Sequence, residues 1–437
     1  MFFYHLKIAW LSFKKTPVLS ALIIGAIALG IGVCVSVLTV YSLMTKNPVA
    51  GYSDQLFTYK LNNQPPVKEG GKPVEARSLV SYRDAMNIAG ADIEATHSLH
   101  YQTAAVYYPQ KQGVQPFRSE LRLANQGFFK IHRVPFLYGT SWSVEDERSN
   151  PYQTILTKDL NDQLFRGENS IGKEVKIAND FYKVTGVLDN YKPLPKYMEI
   201  DSGPFAEIEG AFVPFSLTPQ LAMRKRNGDI RCPGTSEGDD WQAFLEADCY
   251  WLHHWVELKD QSSQNAFKQH LDDYAFSQRN YGRFMGPYNN ELHNVMSWLG
   301  DQNVVNQDYE FLLGIAFLFL IVCLLNCIGL LLTKFMGKSG ETALRRAVGA
   351  SRKMIFRQYL IEVSLIGFLG GCIGLLLSLI GLASIRSLYQ SYEQLTHLNL
   401  QLIITAIVLS IGTTLLAGLL PAWRISRLPA AQYLKSQ

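Results

Sequence analysis

"MGKSGETALRRAVGASRKMIF", Met336 to Phe356, decides how the rest of the chain is read. Its Gly337-Lys338-Ser339 triplet would close a phosphate-binding loop if G-x-x-x-x-G-K-[ST] followed a short buried strand, whose turn wraps phosphates in backbone N–H groups. The position five before Gly337 is Leu332, and the apolar run ahead of it is far too long for a strand. The stretch is a connection between two apolar segments, and those segments set the fold.

Four runs contain no charged residue: Val18 to Met44, Phe311 to Thr333, Val363 to Ile385 and Leu398 to Trp423. At 1.5 Å per residue each can cross a hydrocarbon layer of about 30 Å, which takes about 20 residues. They concentrate the 48% hydrophobic content of a 437-residue chain whose mean hydropathy is near zero. A cleavable signal peptide is the competing reading of the first run, since Lys7, Lys14 and Lys15 precede it, but the run exceeds a signal h-region of roughly 7–15 residues. The expected fold is an α-helical membrane protein with four transmembrane helices and a large mixed α+β extracytoplasmic domain inserted between helices 1 and 2.

Basic residues in the short flanks give an orientation. Lys7, Lys14 and Lys15 precede the first span without an acid; Lys334, Lys338, Arg345, Arg346, Arg352, Lys353 and Arg357 face only Glu341 and Glu362 between the second and third; Arg424, Arg427 and Lys435 follow the fourth. Both termini and the opening stretch are therefore expected in the cytoplasm, with the large block outside. That block, Lys46 to Glu310, holds 27 basic and 34 acidic residues, so the overall +4 belongs to the cytoplasmic face. Such a distribution argues against nucleic acid as a partner.

The expected organisation is an amphipathic interface helix at 1–15, with Phe2, Phe3, Leu6, Trp10 and Phe13 on one side and contact to membrane lipid. The first span follows at 16–45, with Thr16 as N-cap and Pro17 in its first turn. An outer domain covers 46–308, the second span 309–333, a cytoplasmic loop 334–358, the third span 359–385, an external loop 386–398, the fourth span 399–421 and a tail 422–437. Within the outer block, "QTILTKDL", "GKEVKIAND" and "FYKVTGVLDN" alternate as strands do, helices are expected around 78–88 and 262–278, and 190–240 reads as an irregular excursion. Leu292, Val295, Met296 and Leu299 recur at helical spacing, which predicts a stalk leading into the second span.

Cys34, Cys323, Cys327 and Cys372 fall inside apolar runs, leaving Cys232 and Cys249 as a pair that an oxidising compartment can bond. Gly367/Gly371 and Gly370/Gly374 in the third run, and Ala26/Gly30 and Ala28/Gly32 in the first, have the small-x-x-x-small spacing that lets helices approach closely, within or between subunits. Asn326 is the main polar residue deep in a span, and Glu362 lies near the end of another, so an ion pathway through the bilayer has little to run on.

No catalytic constellation is complete. Gly234-Thr235-Ser236-Glu237-Gly238 fits G-x-S-x-G but sits in a polar loop rather than a strand-to-helix turn. His253 and His254 are adjacent, so neither strand nor helix aims both at one metal. In the loop, Glu341 opens a short helix with Ala343, Leu344, Ala347 and Val348 as an apolar face and Arg345 and Arg346 beside it; Gly349 closes that helix and Ser351 caps the next. On physics alone this is either a docking helix across the foot of a bundle or a surface helix whose arginines meet lipid phosphates.

The segment "SGETALRRAVGASRKMIFRQYLIEVSLIGFLGGCIG" resembles the signature of FtsX-like permeases of the MacB type in the ABC superfamily, and "PAWRISRLPAAQYLK" is similar to their C-terminal motif. "ANQGFFKIHRVPFLYGTSW", "TILTKDLNDQLFRGENSIGKEVKIANDFYKVTGVLD" and "AFVPFSLTPQL" resemble that family's periplasmic core domain, with 190–250 the weakest part. The resemblance implies a non-enzymatic permease that pairs with an identical or related second permease and works with a dimeric cytoplasmic ABC ATPase, which binds the ATP and Mg; no cofactor is expected in this chain. It further implies that Glu341, Thr342, Leu344, Arg345, Arg346, Val348 and Gly349 form the coupling helix. Motion driven by the ATPase would pass to the outer domain, by mechanotransmission, to export or extract an amphipathic or lipid-like, drug or peptide cargo, with a periplasmic adaptor and an outer-membrane channel as further partners. The alternative within the family is a regulator of an envelope hydrolase or a sensor kinase.

Overall fold

A computed structural model describes residues 12–13, 15–63, 78–109, 115–149, 151–225, 230–232, 240–286, 289–304, 307–388 and 400–427. The chain divides into two compact units, Lys46–Val304 and the remainder, Met1–Thr45 with Val305–Gln437. Most of the expected interface helix, the G-x-S-x-G segment, residues 389–398 of the expected external loop and the last ten residues lie outside the described residues; residues 386–388, expected in that loop, continue the third helix instead.

In the membrane unit the four apolar runs are helices: Pro17–Met44, Gln307–Met336, Arg352–Leu388 and Leu400–Ser426. Each contains a segment long and apolar enough to cross a bilayer. The third helix, 37 residues, spans about 55 Å and so extends well beyond a hydrocarbon core. Pro17 occupies the first turn of the first span as expected, but Thr16 does not cap it: its hydroxyl turns back to the Ser12 carbonyl at 3.4 Å.

The glycine pairs make the bundle. A Cβ on Gly367 or Gly371 would meet Thr414 and Ser410 of the fourth span, whereas one on Gly370 or Gly374 would meet Ile27, Ala28 and Ile31 of the first. Gly30 lies against Leu320 and Cys323 of the second span, and Gly32 against the Gly374 carbonyl. The Ser410 hydroxyl also donates to the Gly367 carbonyl across the seam at 2.6 Å. The small-residue contacts at these positions are thus made within one chain, and the third span sits between the first and fourth.

In the other unit eleven strands among the described residues form one sheet. They are β1 (Leu56–Lys60), β2 (Leu79–Val80), β3 (Thr96–Tyr108), β4 (Phe117–Ala124), β5 (Phe136–Gly139), β6 (Gln153–Leu156), β7 (Glu174–Ile177), β8 (Asp180–Leu188), β9 (Ala211–Pro214), β10 (Leu252–Glu257) and β11 (Glu291–Asn294). The main path runs β11-β1-β10-β3-β4-β9-β6-β8-β5, mostly antiparallel, with β4·β9 and β6·β8 parallel. Tyr101, Leu121, Val184 and Trp251 pack one side, with Phe267 and Leu271 of helix Gln261–Arg279; Phe128, Trp142, Phe212, Trp255 and Trp298 pack the other.

Among the described residues the predicted stalk is not found. Leu292 belongs to β11, where Phe57 pairs with Asn294 and Lys60 with Glu291, and Asn294 then caps a separate helix, Val295–Asp301, by accepting from Ser297 N at 2.8 Å. Val295, Trp298 and Leu299 are buried in the core of the outer unit. The helical spacing was real, but the first of its residues completes a sheet edge. The predicted helix around 78–88 likewise begins only at Tyr82, because Leu79 and Val80 pair with β10.

Candidate coupling surface

The loop helix runs Ser339–Ala347, beginning two residues before Glu341. Val348 is its C-cap, and Gly349 follows at φ +105°, a left-handed conformation that costs glycine little. The Gly349 N–H donates to Arg346 O and the Ala350 N–H to Arg345 O, which is the Schellman closure. Ser351 then accepts from Met354 N at 3.3 Å and starts the third span. Helix, stop and restart follow within three residues.

One face of this helix is fixed to the bundle. Thr342 and Ala343 are buried, and the Thr342 hydroxyl meets the Tyr359 hydroxyl at 2.8 Å, with the Tyr359 ring against Phe335. Glu341 and Arg345 pair at 2.5 Å, Arg345 also reaches Gln358 at 2.8 Å, and Lys15 approaches Glu341 at 3.5 Å. The other face is open: Leu344 is 56% exposed and Val348 83%, with Ala347 exposed between them. Ala343, expected to share one apolar face with Leu344, Ala347 and Val348, is instead buried on the Thr342 side of the helix while the other three are exposed.

Behind the helix lies a cluster that composition alone did not reveal. Glu362, 2% exposed, accepts from Lys334 at 2.9 Å and Lys338 at 3.1 Å, and the Ser12 hydroxyl donates to it. Lys334 is fully buried, donates to Ser20 at 3.0 Å and lies over the Phe13 ring. Lys338 immediately precedes the loop helix, Ser12 and Ser20 belong to the first span and its approach, and Glu362 to the third. The loop helix is therefore bound by charge to the feet of three spans. Lys334 and Lys338 at i and i+4 with a lone acid inside an apolar run is the trace this cluster leaves in the sequence.

The outer unit has its own buried polar core. Arg122 grips Glu209 through two nitrogens at 2.8 and 2.6 Å, reaches Glu199 at 2.5 Å and rests its third nitrogen on His100; Lys196 joins Glu209 at 2.7 Å. Asp201 pairs with Lys225 at 2.5 Å and His253 at 3.3 Å. These pairs fasten residues 196–209 to β4 and β10, and the Ser202 hydroxyl donates to Gln102 of β3 at 2.8 Å. Burial raises the Glu209 carboxyl, but Arg122 and Lys196 outweigh it and hold it down at about 2. Burial and the Arg122 charge press His132 down to about 3, and burial with His270 presses His97 down to about 4. His253 and His254 point to opposite faces of β10, the first to Asp201 and the second to Tyr59 and His97. Cys232 and Cys249 are joined by a disulfide.

The MacB-like periplasmic core domain model matches residues 20–274 and the FtsX-like permease C-terminal model matches 313–430. The chain thus belongs to the family of MacB-like, FtsX-like ABC transporter permeases. Among its relatives, the macrolide export ATP-binding/permease protein MacB of Syntrophobacter fumaroxidans is 26% identical over 331 residues, covering 69% of this chain and 45% of that protein. The uncharacterized ABC transporter permease YvrN of Bacillus subtilis is 20% identical over 454 residues, covering 99% of each. The chain spans about half the length of the MacB relatives it matches. The crystallised periplasmic region of MacB from Actinobacillus actinomycetemcomitans aligns with 60% of this chain and 98% of its own at 12% identity, with a TM-score of 0.37. Four apolar helices and a MacB-like periplasmic domain fit an inner-membrane protein with a periplasmic domain.

Proposed function

We propose that this chain is a permease subunit of a mechanotransmission ABC system, and that Leu344, Ala347 and Val348, flanked by Arg345, Arg346 and Glu341, dock a separate cytoplasmic ABC ATPase that binds the ATP and Mg. The observation that carries the reading is the two-sided loop helix: one face tied to the bundle, the other presenting exposed apolar side chains within a rim of charge, as protein interfaces do. The basic flanks support a cytoplasmic position for this loop and both termini. Nucleotide-driven closure of the ATPase dimer moves the loop helices of two paired permeases, and the spans carry that motion to the periplasmic units. Relatives named for macrolide export and pyoverdine export support export of an amphipathic cargo, and a periplasmic adaptor and an outer-membrane channel are the further partners of this proposal.

The test is co-purification of the full chain with ABC ATPases of the same cell, comparing wild type with Glu341→Lys plus Leu344→Asp. The proposal expects an ATPase to bind wild type and to be lost from a variant that still inserts normally. Equal binding to both would assign the loop helix to the lipid surface. Co-purification with a cell-wall hydrolase or sensor kinase, and with no adaptor, would point to regulation in place of export.

A further inference from the structure

Between β8 and β9 the chain from 189 to 210 forms no helix or strand, yet its side chains enter the middle of the outer unit. Lys196, Glu199 and Glu209 are fully buried, and the Trp255 and Trp298 indoles donate to the Met198 and Tyr197 carbonyls at 3.2 and 3.1 Å. Three acids of this segment, Glu199, Asp201 and Glu209, are set against three cations, Arg122, Lys196 and Lys225. The charges cancel, so any further charge placed among them goes uncompensated in a buried site.

Three histidines stand where such a charge would arise. A guanidinium has no acceptor, so His100 must offer Arg122 the lone pair of its Nδ1, and an imidazolium has none to offer. The His100 ring stacks on His253 at 5.5 Å and lies 6.1 Å from His132, and its buried Nε2 makes no hydrogen bond among the described residues. His132 meets the Tyr197 hydroxyl at 2.7 Å, and His253 lies 3.2 Å from Lys225 and 3.3 Å from Asp201. The groups acting on His100 are Arg122 of β4, His253 of β10, His132 beyond helix Gln126–Ile131, and Lys225, so burial and then these neighbours hold it neutral. His253 is kept down by burial and Lys225 against the opposing pull of Asp201 and Glu199.

We infer that residues 196–209 are an acid-released strap: protonation of His100, His132 and His253 turns Arg122 away from the segment's carboxylates and frees the segment from a sheet that stays folded. A proton on His100 replaces the lone pair facing Arg122 with an N–H, and the three acids nearby are already paired. Tyr197, Met198 and Phe205, all buried, keep the strap seated at neutral pH. On release each histidine returns to an ordinary pKa of about 6.5, and the carboxylates, held low by their cations, return to about 4. The released form binds more protons, so acid favours it. Each histidine multiplies release roughly sixteenfold between pH 6.5 and pH 5, and three together multiply it roughly four thousandfold.

The experiment uses the full chain in detergent, with Cys34, Cys323, Cys327 and Cys372 replaced by alanine and the Cys232–Cys249 disulfide retained. Met198→Cys puts a buried thiol in the strap and Val184→Cys one in β8. A pyridyl disulfide, which reacts with thiols in acid, labels each as it opens, and rates are divided by that of the unfolded chain at the same pH. From pH 6.5 to pH 5 labelling at 198 should rise roughly a thousandfold or more while labelling at 184 lags behind. His100→Gln should cut that rise about sixteenfold, and His97→Gln, outside the cluster, should leave it unchanged. Hydrogen exchange of 196–209 against 181–188 in the chain with its own Met198, corrected for intrinsic rates, gives the same comparison without the added thiol. Opening of the strap that does not rise in acid, or that keeps its full rise in His100→Gln, overturns the inference. Equal rises in the strap and in β8 overturn release from a folded sheet.

Discussion

Glu362→Gln is the most informative single change in the membrane unit. It keeps the side-chain shape and removes one charge, leaving Lys334, fully buried, and Lys338, 13% exposed, as two ammonium groups without a carboxylate between them. Removing one partner of a buried pair costs roughly 3–5 kcal/mol because the other charge stays desolvated. Lys338 can swing outward, so the lower end of that range applies, about 3 kcal/mol. Lys338→Met should cost far less, because Glu362 keeps Lys334 at 2.9 Å and the Ser12 hydroxyl. The double variant Glu362→Gln plus Lys334→Met should recover much of the loss, as neutral replacements of a whole buried pair do. The assay is thermal unfolding of the full chain in detergent. Midpoints are ranked rather than converted, since a chain of two compact units is not expected to unfold in two states. A Glu362→Gln midpoint equal to wild type, or below no more than that of Lys338→Met, would refute the buried cluster.

Gly367→Val should disrupt the bundle, because even a first carbon there comes within 2.4 Å of Thr414 Oγ1; loss of monodisperse protein in detergent checks it, with the open Gly412→Val as the tolerated control. Breaking the Cys232–Cys249 link by double serine substitution should remove about 3 kcal/mol from the outer unit, read as a lower midpoint that reductant no longer shifts. His97 and His132 are held neutral in the fold, near 4 and 3, against an unfolded value of about 6.5. The unfolded chain therefore binds more protons below pH 6.5, and stability falls as pH drops from there towards 4, by at most about 1.4 kcal/mol per pH unit for each histidine. Midpoints measured from pH 7.5 to 4 should show this slope, and His132→Gln should flatten it.

The four spans were legible because an uncharged run of 23 or more residues has few other uses. The loop helix was legible because its start, stop and restart are local signals: Glu341, Gly349 and Ser351 each act within one turn. The extent of the sheet was not. β3, "THSLHYQTAAVYY", hides His100, Gln102 and Thr103 alongside Leu99 and Tyr101, so no polar alternation marks it. Its polar side chains meet partners distant in sequence, such as Arg122 for His100 and the Arg224 carbonyl for Thr103. The Glu362 cluster escaped for the same reason. Counted as charges, Lys334, Lys338 and Glu362 look like flank residues, and only the bundle brings Ser12 within reach of a side chain 350 positions away. Local chemistry writes itself into short windows of sequence; long-range pairing does not.

The glycine seams bear on what kind of displacement the bundle can carry. Helices whose large side chains interlock tend to move past one another by whole turns of about 5.4 Å. At Gly374 the third span instead meets the Ala28 carbonyl of the first without a Cβ between them, and at Gly32 the first meets the Gly374 carbonyl in the same way. Ile27 and Ile31 of the first span sit in the gaps at Gly370 and Gly374, so this seam carries knobs on one side only. Any slide of the first span along the third must therefore lift Ile27 and Ile31 out of those gaps, while the Ser410 to Gly367 hydrogen bond ties the fourth span to the third.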